Sequence, residues 1–204
     1  MDANVPTLIR PALHNYLDQV HQQLPGLLHG FHLEGSVALG DFNERFSDID
    51  FMALLTRQAT SPEIRTLRQI HRQVEQTYPF PLSGRYFPVT DLTQWKEPLV
   101  EPLVSQLHFH DGVLQPLIRP FDPHSVEGWL LKYHGITLLG PEIRIFPFSV
   151  NWAIVVERMR ENLNTYWKGW TRHPYRLMVM LSDWGIQWTV LGCCGSFIPC
   201  GNTP

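Results

Sequence analysis

Apolar positions recur at helical spacing from residue 6 to 24, where Leu8, Ile9, Leu13, Leu17, Val20 and Leu24 form one face of an amphipathic helix. An apolar segment then ends at Glu34 and meets Gly35-Ser36, which opens a short amphipathic piece. A second apolar run, carrying Asp48 and Asp50, reads as a strand to about Leu55. Ser61-Pro62-Glu63 starts a helix with a cap, a first-turn proline and an acid near the positive end of the dipole. That helix continues to about Tyr78. Ser83–Val89 reads as a third strand, and residues 106–117 as a hairpin turned at Asp111-Gly112. Asp122-Pro123 begins a helix over 125–134 that Gly135 ends, and Ile136–Leu139 is a short strand closed by Gly140-Pro141.

After Pro147 the pattern becomes purely helical. Trp152, Val155, Val156, Met159 and Leu163 mark the inner face of one helix, and another starts near His173. The expected fold class is therefore α/β (α+β), with a small mixed sheet followed by an incomplete α-helical bundle. The boundary falls within 141–148, giving domains 1–145 and 146–192, with an aberrant, disordered tail over 193–204.

The strand with two aspartates carries the candidate chemistry. Side chains alternate along a strand, so Asp48 and Asp50 share one face while Ile49 turns to the core. Paired carboxylates repel unless a cation lies between them, and oxygen ligands of this kind suit magnesium, which takes one or two carboxylates plus substrate phosphates. Gly35 allows close backbone approach to a phosphate, and Ser36 adds a hydroxyl and an N–H. Alone, each motif is an ordinary turn or strand end; in the order strand, Gly-Ser, helix, Asp-x-Asp strand they are specific.

That arrangement resembles the nucleotidyltransferase superfamily that includes DNA polymerase beta. GSVALGDFNERFSDIDFMALL, KYHGITLLGPEI and the helical second half are similar to the aminoglycoside adenylyltransferase family, over nearly the whole chain to about Gly192. The resemblance implies a nucleotidyltransferase domain followed by a helical domain, and an antibiotic-resistance activity: transfer of AMP from ATP to an aminoglycoside hydroxyl. It implies that Asp48 and Asp50 hold the Mg2+ ions as catalytic residues and that Gly35 and Ser36 bind the triphosphate. Two cations about 3.5–4 Å apart bridge the attacking hydroxyl and leaving pyrophosphate in such chemistry, leaving position and charge to the protein.

Composition fits this picture and narrows it. The 204 residues are 44% hydrophobic and 17% charged, a globular composition with seven tryptophans and eleven phenylalanines for core volume. A net charge of -3 lacks the basic footprint of a nucleic-acid binder. No segment has the length of a membrane span, and MDANVPTLIR lacks the pattern of a signal peptide, so a cytoplasmic location is expected. The three cysteines, Cys193, Cys194 and Cys200, sit at the end and match no zinc spacing.

The chain departs from the family pattern twice. Active members carry a third carboxylate on the following strand, but Leu82-Ser83-Gly84-Arg85-Tyr86-Phe87 holds none. Asp91 is the nearest acid downstream, expected past the strand as a turn cap; Arg85 is expected as an exposed strand arginine, with phosphate contact the alternative. Helical periodicity also stops at Gly192, where CCGSFIPCGNTP begins. Dropping one nucleotide from codons for GVLRQFYTLREH yields GCCGSFIPCGN and then Thr, so a frame shift with loss of the last helices is expected. The alternative is a Gly/Pro-rich coil.

The leading reading is a nucleotidyltransferase acting on an aminoglycoside-like small molecule, with Glu157, Glu161 and Asp183 as candidates for attracting a polycation. The alternatives are an ATP- and metal-binding module with impaired turnover, and an antitoxin-like nucleotidyltransferase acting on a protein partner. An unfinished helical face, rich in tryptophan, carries a tendency to self-association.

Overall fold

The computed structural model describes residues 4–93, 107–110, 113–116, 121–179, 181–182 and 185–186. Its chain falls into two compact units, the first from residues up to 122 together with 129–148, the second from 123–128 and the residues from 149 on. The expected hairpin turn at Asp111-Gly112, the acid Asp183 and the whole segment 193–204 lie outside the described residues, as do the three cysteines.

In the first unit, a single 3-10 turn (Thr7–Ile9) leads into helix α1 (Arg10–Gln23). Strand β1 (Leu28–Leu33), the short helix α2 (Gly35–Leu39) and strand β2 (Ile49–Leu55) follow. Helix α3 (Ser61–Thr77) then crosses to β3 (Leu82–Pro88), which continues into the short helix α4 (Val89–Thr93). β4 (Leu107–His110), β5 (Val113–Pro116), residues 129–134 of helix α5 (Val126–His134) and β6 (Ile136–Leu139) complete the α/β part. The six strands form one mixed sheet in the order β5-β4-β3-β2-β1-β6. β2 and β3 are parallel, as a helical crossover requires, and the other neighbours are antiparallel.

Alternation along the strands sends Phe31, Leu33, Phe51, Ala53, Tyr86 and Phe109 into one buried cluster with Leu13, Tyr16 and Val20 of α1 and Leu67, Ile70 and Val74 of α3. Phe31 and Phe51 stack with ring centres 4.9 Å apart, and Phe51 meets Tyr86 edge-on at 5.4 Å. Within this apolar layer sits His71, fully buried, stacked on Phe109 at 3.5 Å. Its Nε2 bonds the Tyr86 hydroxyl, which in turn bonds the Tyr16 hydroxyl. One short polar chain thus ties α1, α3 and β3 together.

The opposite sheet face changes character along its length. At one end it is apolar: the paired residues Leu54 and Phe87 are fully buried, Phe87 stacks on Phe121 at 5.7 Å, and Phe121 meets Phe148 edge-on. Lys132 closes this end by donating to the backbone oxygens of Arg144 and Phe146 with its Nζ over the Phe148 ring, and burial lowers its pKa. Toward the start of β2 and β3 the same face turns polar.

In the second unit, helix α6 (Trp152–Asn162) is capped by Asn151, whose Oδ1 accepts from the Ala153 N–H at 3.1 Å. Asn151 N–H donates to His124 Nδ1 at 3.0 Å. Val155 and Met159 are buried on α6, whereas Glu157 and Glu161 are exposed. A π-helical turn (Leu163–Trp167) follows, then α7 (Lys168–Trp170) and α8 (Pro174–Val179). Arg176 lies over the Trp170 ring at 4.6 Å. Among the described residues, no helix is long and apolar enough to cross a membrane.

Candidate active site

The site is built where β1 turns into α2 and where β2 begins. Glu34, the last extended residue, donates its N–H to Asp50 O at 3.0 Å, continuing the β1–β2 ladder by one residue. The chain then reverses at Gly35, whose φ of 62° is in the left-handed region. The expected reason for glycine was close approach to a phosphate. The structure gives a second one: a Cβ at Gly35 would overlap Asp50 Oδ2 and stand 2.8 Å from its Cγ. The space this glycine leaves open is already taken by the carboxylate, so the turn and the acid are fitted to each other.

Ser36 follows in the first turn of α2, and its Oγ is buried without a hydrogen-bond partner among the described residues. A buried hydroxyl in that state costs free energy unless something comes to meet it. α2 ends after one turn at Gly40, and Asp41 N–H donates back to Ser36 O at 2.9 Å. The connecting loop is held by its own side chains: Asn43 Oδ1 accepts from Arg45 N–H at 2.9 Å, and Ser47 Oγ accepts from Asn43 N–H at 3.0 Å. Phe42 packs edge-on against Phe80 at 5.7 Å.

Asp48 lies immediately before β2 and Asp50 is its second residue. Ile49 is fully buried in the core, and its N–H donates to Pro81 O at 2.8 Å; both aspartates are half-buried. Among the described residues, no group of three or more His, Cys, Asp or Glu side chains is arranged to hold a metal ion. Two carboxylates and a nucleotide's own phosphate oxygens are nevertheless the donor set that magnesium commonly takes, so the residues present fit that ion.

The sheet register extends the site sideways. Asp50 is the partner of Ser83 on parallel β3, and Met52 that of Arg85. Gly84 pairs with Phe109 on β4, so one residue further along Ser83 stands beside His110, and its Oγ lies 3.1 Å from His110 Nδ1. Arg85 pairs with His108, whose ring is nearly parallel to that of His110 at 5.8 Å. On the other side, Met52 pairs with His32, which bonds Thr137 Oγ1 through Nδ1 at 3.0 Å. Burial, and then the neighbouring His29, lower the pKa of His32 to about 4.

One expectation is corrected here: Arg85 is a half-buried residue of a central strand, flanked by β2 and β4, rather than an exposed strand arginine. Asp91 lies past β3, half-buried in the first turn of α4. The residues that the sequence did not reveal are His110 and its link to Ser83. A signal was present: Leu107-His108-Phe109-His110 alternates apolar and imidazole side chains, which puts two histidines on the polar face of a strand.

No family model matches the chain. No curated protein matches it either. Among solved structures it is similar to the spectinomycin adenyltransferase AAD(9) from Enterococcus faecialis, crystallised with ATP and spectinomycin, at 12% identity and a TM-score of 0.56. The match covers 95% of this chain and 77% of that one. At that identity the likeness is one of fold: the mixed six-stranded sheet with its helices is a nucleotidyltransferase-like fold.

Proposed function

We propose that this protein transfers AMP from ATP to a hydroxyl group of an aminoglycoside-like small molecule. In this reading Asp48 and Asp50 hold magnesium, and Gly35 and Ser36 receive the triphosphate. The observation that carries it is the Gly35–Ser36 turn. Gly35 is shaped around the Asp50 carboxylate, and the next residue holds a buried hydroxyl with no partner among the described residues. Phosphate oxygens would satisfy such a hydroxyl, and Asp48 and Asp50 would hold the magnesium that accompanies them. When bound, the ion neutralises charge on the leaving pyrophosphate; the chain's own residues bind and orient. The fold shared with an adenyltransferase crystallised with ATP and spectinomycin supports the same reading.

The test is calorimetric titration with ATP and magnesium, followed by transfer of labelled AMP to a panel of aminoglycosides and spectinomycin. Asp48→Ala and Asp50→Ala should each abolish magnesium-dependent ATP binding; unchanged affinity in both would sink the assignment. A second reading, ATP and metal binding with impaired turnover, draws on Ser83. The strand position beside Asp50 holds a hydroxyl where a proton-accepting carboxylate would serve the acceptor. Binding without any transfer or hydrolysis would favour it.

A further inference from the structure

Metal and triphosphate groups activate the phosphorus, but the acceptor hydroxyl must also lose a proton, and neither Ser83 nor any other β3 residue can take one at neutral pH. The polar sheet face continues past Ser83 to β4. There His110 is exposed at the strand end, and its Nδ1 is 3.1 Å from the buried Ser83 Oγ. Strand spacing places His110 two strands from Asp50 on the same sheet face, with Cα atoms roughly 9–10 Å apart and Ser83 between them.

We propose that His110, held by Ser83, is the base that activates the acceptor hydroxyl; this rests on the nucleotidyl-transfer reading above. With the Nδ1 hydrogen donated to Ser83 Oγ, Nε2 carries the lone pair. Nε2 takes the proton of the acceptor O–H as that oxygen bonds the α-phosphorus of ATP. The bond from that phosphorus to the bridging oxygen breaks, pyrophosphate leaves with the electron pair, and the imidazolium returns its proton to water. Ser83 is a positioning residue, fixing tautomer and ring orientation. Among the described residues, the charged and titratable groups around His110 on this face are His108 on its own strand, Arg85 on β3 and Asp50 on β2. Its β5 partner Val113 has none.

The test uses the full chain with ATP and magnesium, reading pyrophosphate release with water and with spectinomycin as acceptors, alongside calorimetric ATP binding. The unaltered protein should show an ascending limb that levels off once the base has lost its proton. His110→Gln should keep ATP–magnesium affinity, lose about 10²–10⁴-fold in rate and lose that limb. Ser83→Ala should slow release while keeping the limb. Ser83→Glu combined with His110→Gln should recover rate without it, because a carboxylate then stands beside Asp50. Should His110→Gln fail to fold, as judged by circular dichroism, the limb in the unaltered protein and in Ser83→Ala decides the matter. A His110→Gln variant that releases pyrophosphate at the original rate with the same limb overturns the proposal. So does a protein that binds ATP–magnesium but releases no pyrophosphate to either acceptor. ATP binding that ignores Asp50→Asn instead overturns the site reading, and the ground for His110 goes with it.

Discussion

Gly35 and Gly40 bracket the same five-residue helix, both with positive φ, yet they do different things. At Gly40 a Cβ would meet nothing within 4 Å, whereas at Gly35 it would fall on the Asp50 carboxylate. Gly40→Ala should therefore cost only the left-handed conformation, about 1–2 kcal/mol by urea denaturation, and leave nucleotide binding intact. Gly35→Ala should cost more and displace Asp50, so that ATP–magnesium affinity is lost. Equal losses of affinity in the two variants would show that α2 itself, not the fit of Gly35 to Asp50, matters. The local part of the candidate site is legible in sequence because Gly35, Ser36, Asp48 and Asp50 lie within one supersecondary unit. The pairing of Ser83 with His110 is not, because it joins residues 27 positions apart through a strand register that no local pattern reports.

Helix α3 shows how far local signals go at the scale of an element. The proline and acid in its first turn marked the start correctly, but Thr60 rather than Ser61 is the cap. Thr60 N–H and hydroxyl both donate to Glu63 Oε2 at 2.8 Å, and Arg57 adds a two-pronged ion pair to the same carboxylate. Choosing between adjacent hydroxyl residues as a cap depends on which one turns extended, and both could. Hydrogen bonds from Arg57 and then Thr60 lower the pKa of Glu63 from 4.5 to about 2. A depressed carboxyl contributes stability that is fully present above about pH 4.5 and is lost as pH falls through 2. Glu63→Ala should cost on the order of 1 kcal/mol at pH 7. The gap between the two proteins' urea midpoints should narrow at pH 3; a gap independent of pH would mean that Glu63 does not act through its charge.

At the scale of the whole molecule, the succession of strands and helices along the chain follows from local signals, but the order of strands in the sheet and what links the layers do not. His71 sits at a core position of an amphipathic helix, and its partners Tyr86 and Tyr16 come from a strand and a helix far along the chain. Burial keeps its imidazole neutral, with a pKa lowered from 6.5 to about 3. In the unfolded chain the same group gains a proton near pH 6.5. Between pH 6.5 and 3 the unfolded state thus holds more protons, and stability falls as the solution is acidified, by up to about 1.4 kcal/mol per pH unit for one such group. His32, lowered to about 4, acts in the same direction over the upper part of that window. Phenylalanine at position 71 keeps the stacking on Phe109 and removes the titration. It also removes one hydrogen bond to Tyr86 together with a buried Nδ1 that has no partner, so the net cost at pH 7 should be small, about 1 kcal/mol. His71→Phe should then lose less stability than the unaltered protein between pH 6.5 and 4.5, by close to one proton in the linkage slope. Urea unfolding curves taken at half-unit steps of pH measure that slope directly, and identical slopes for the two proteins would mean that His71 is not the group that makes this fold acid-sensitive.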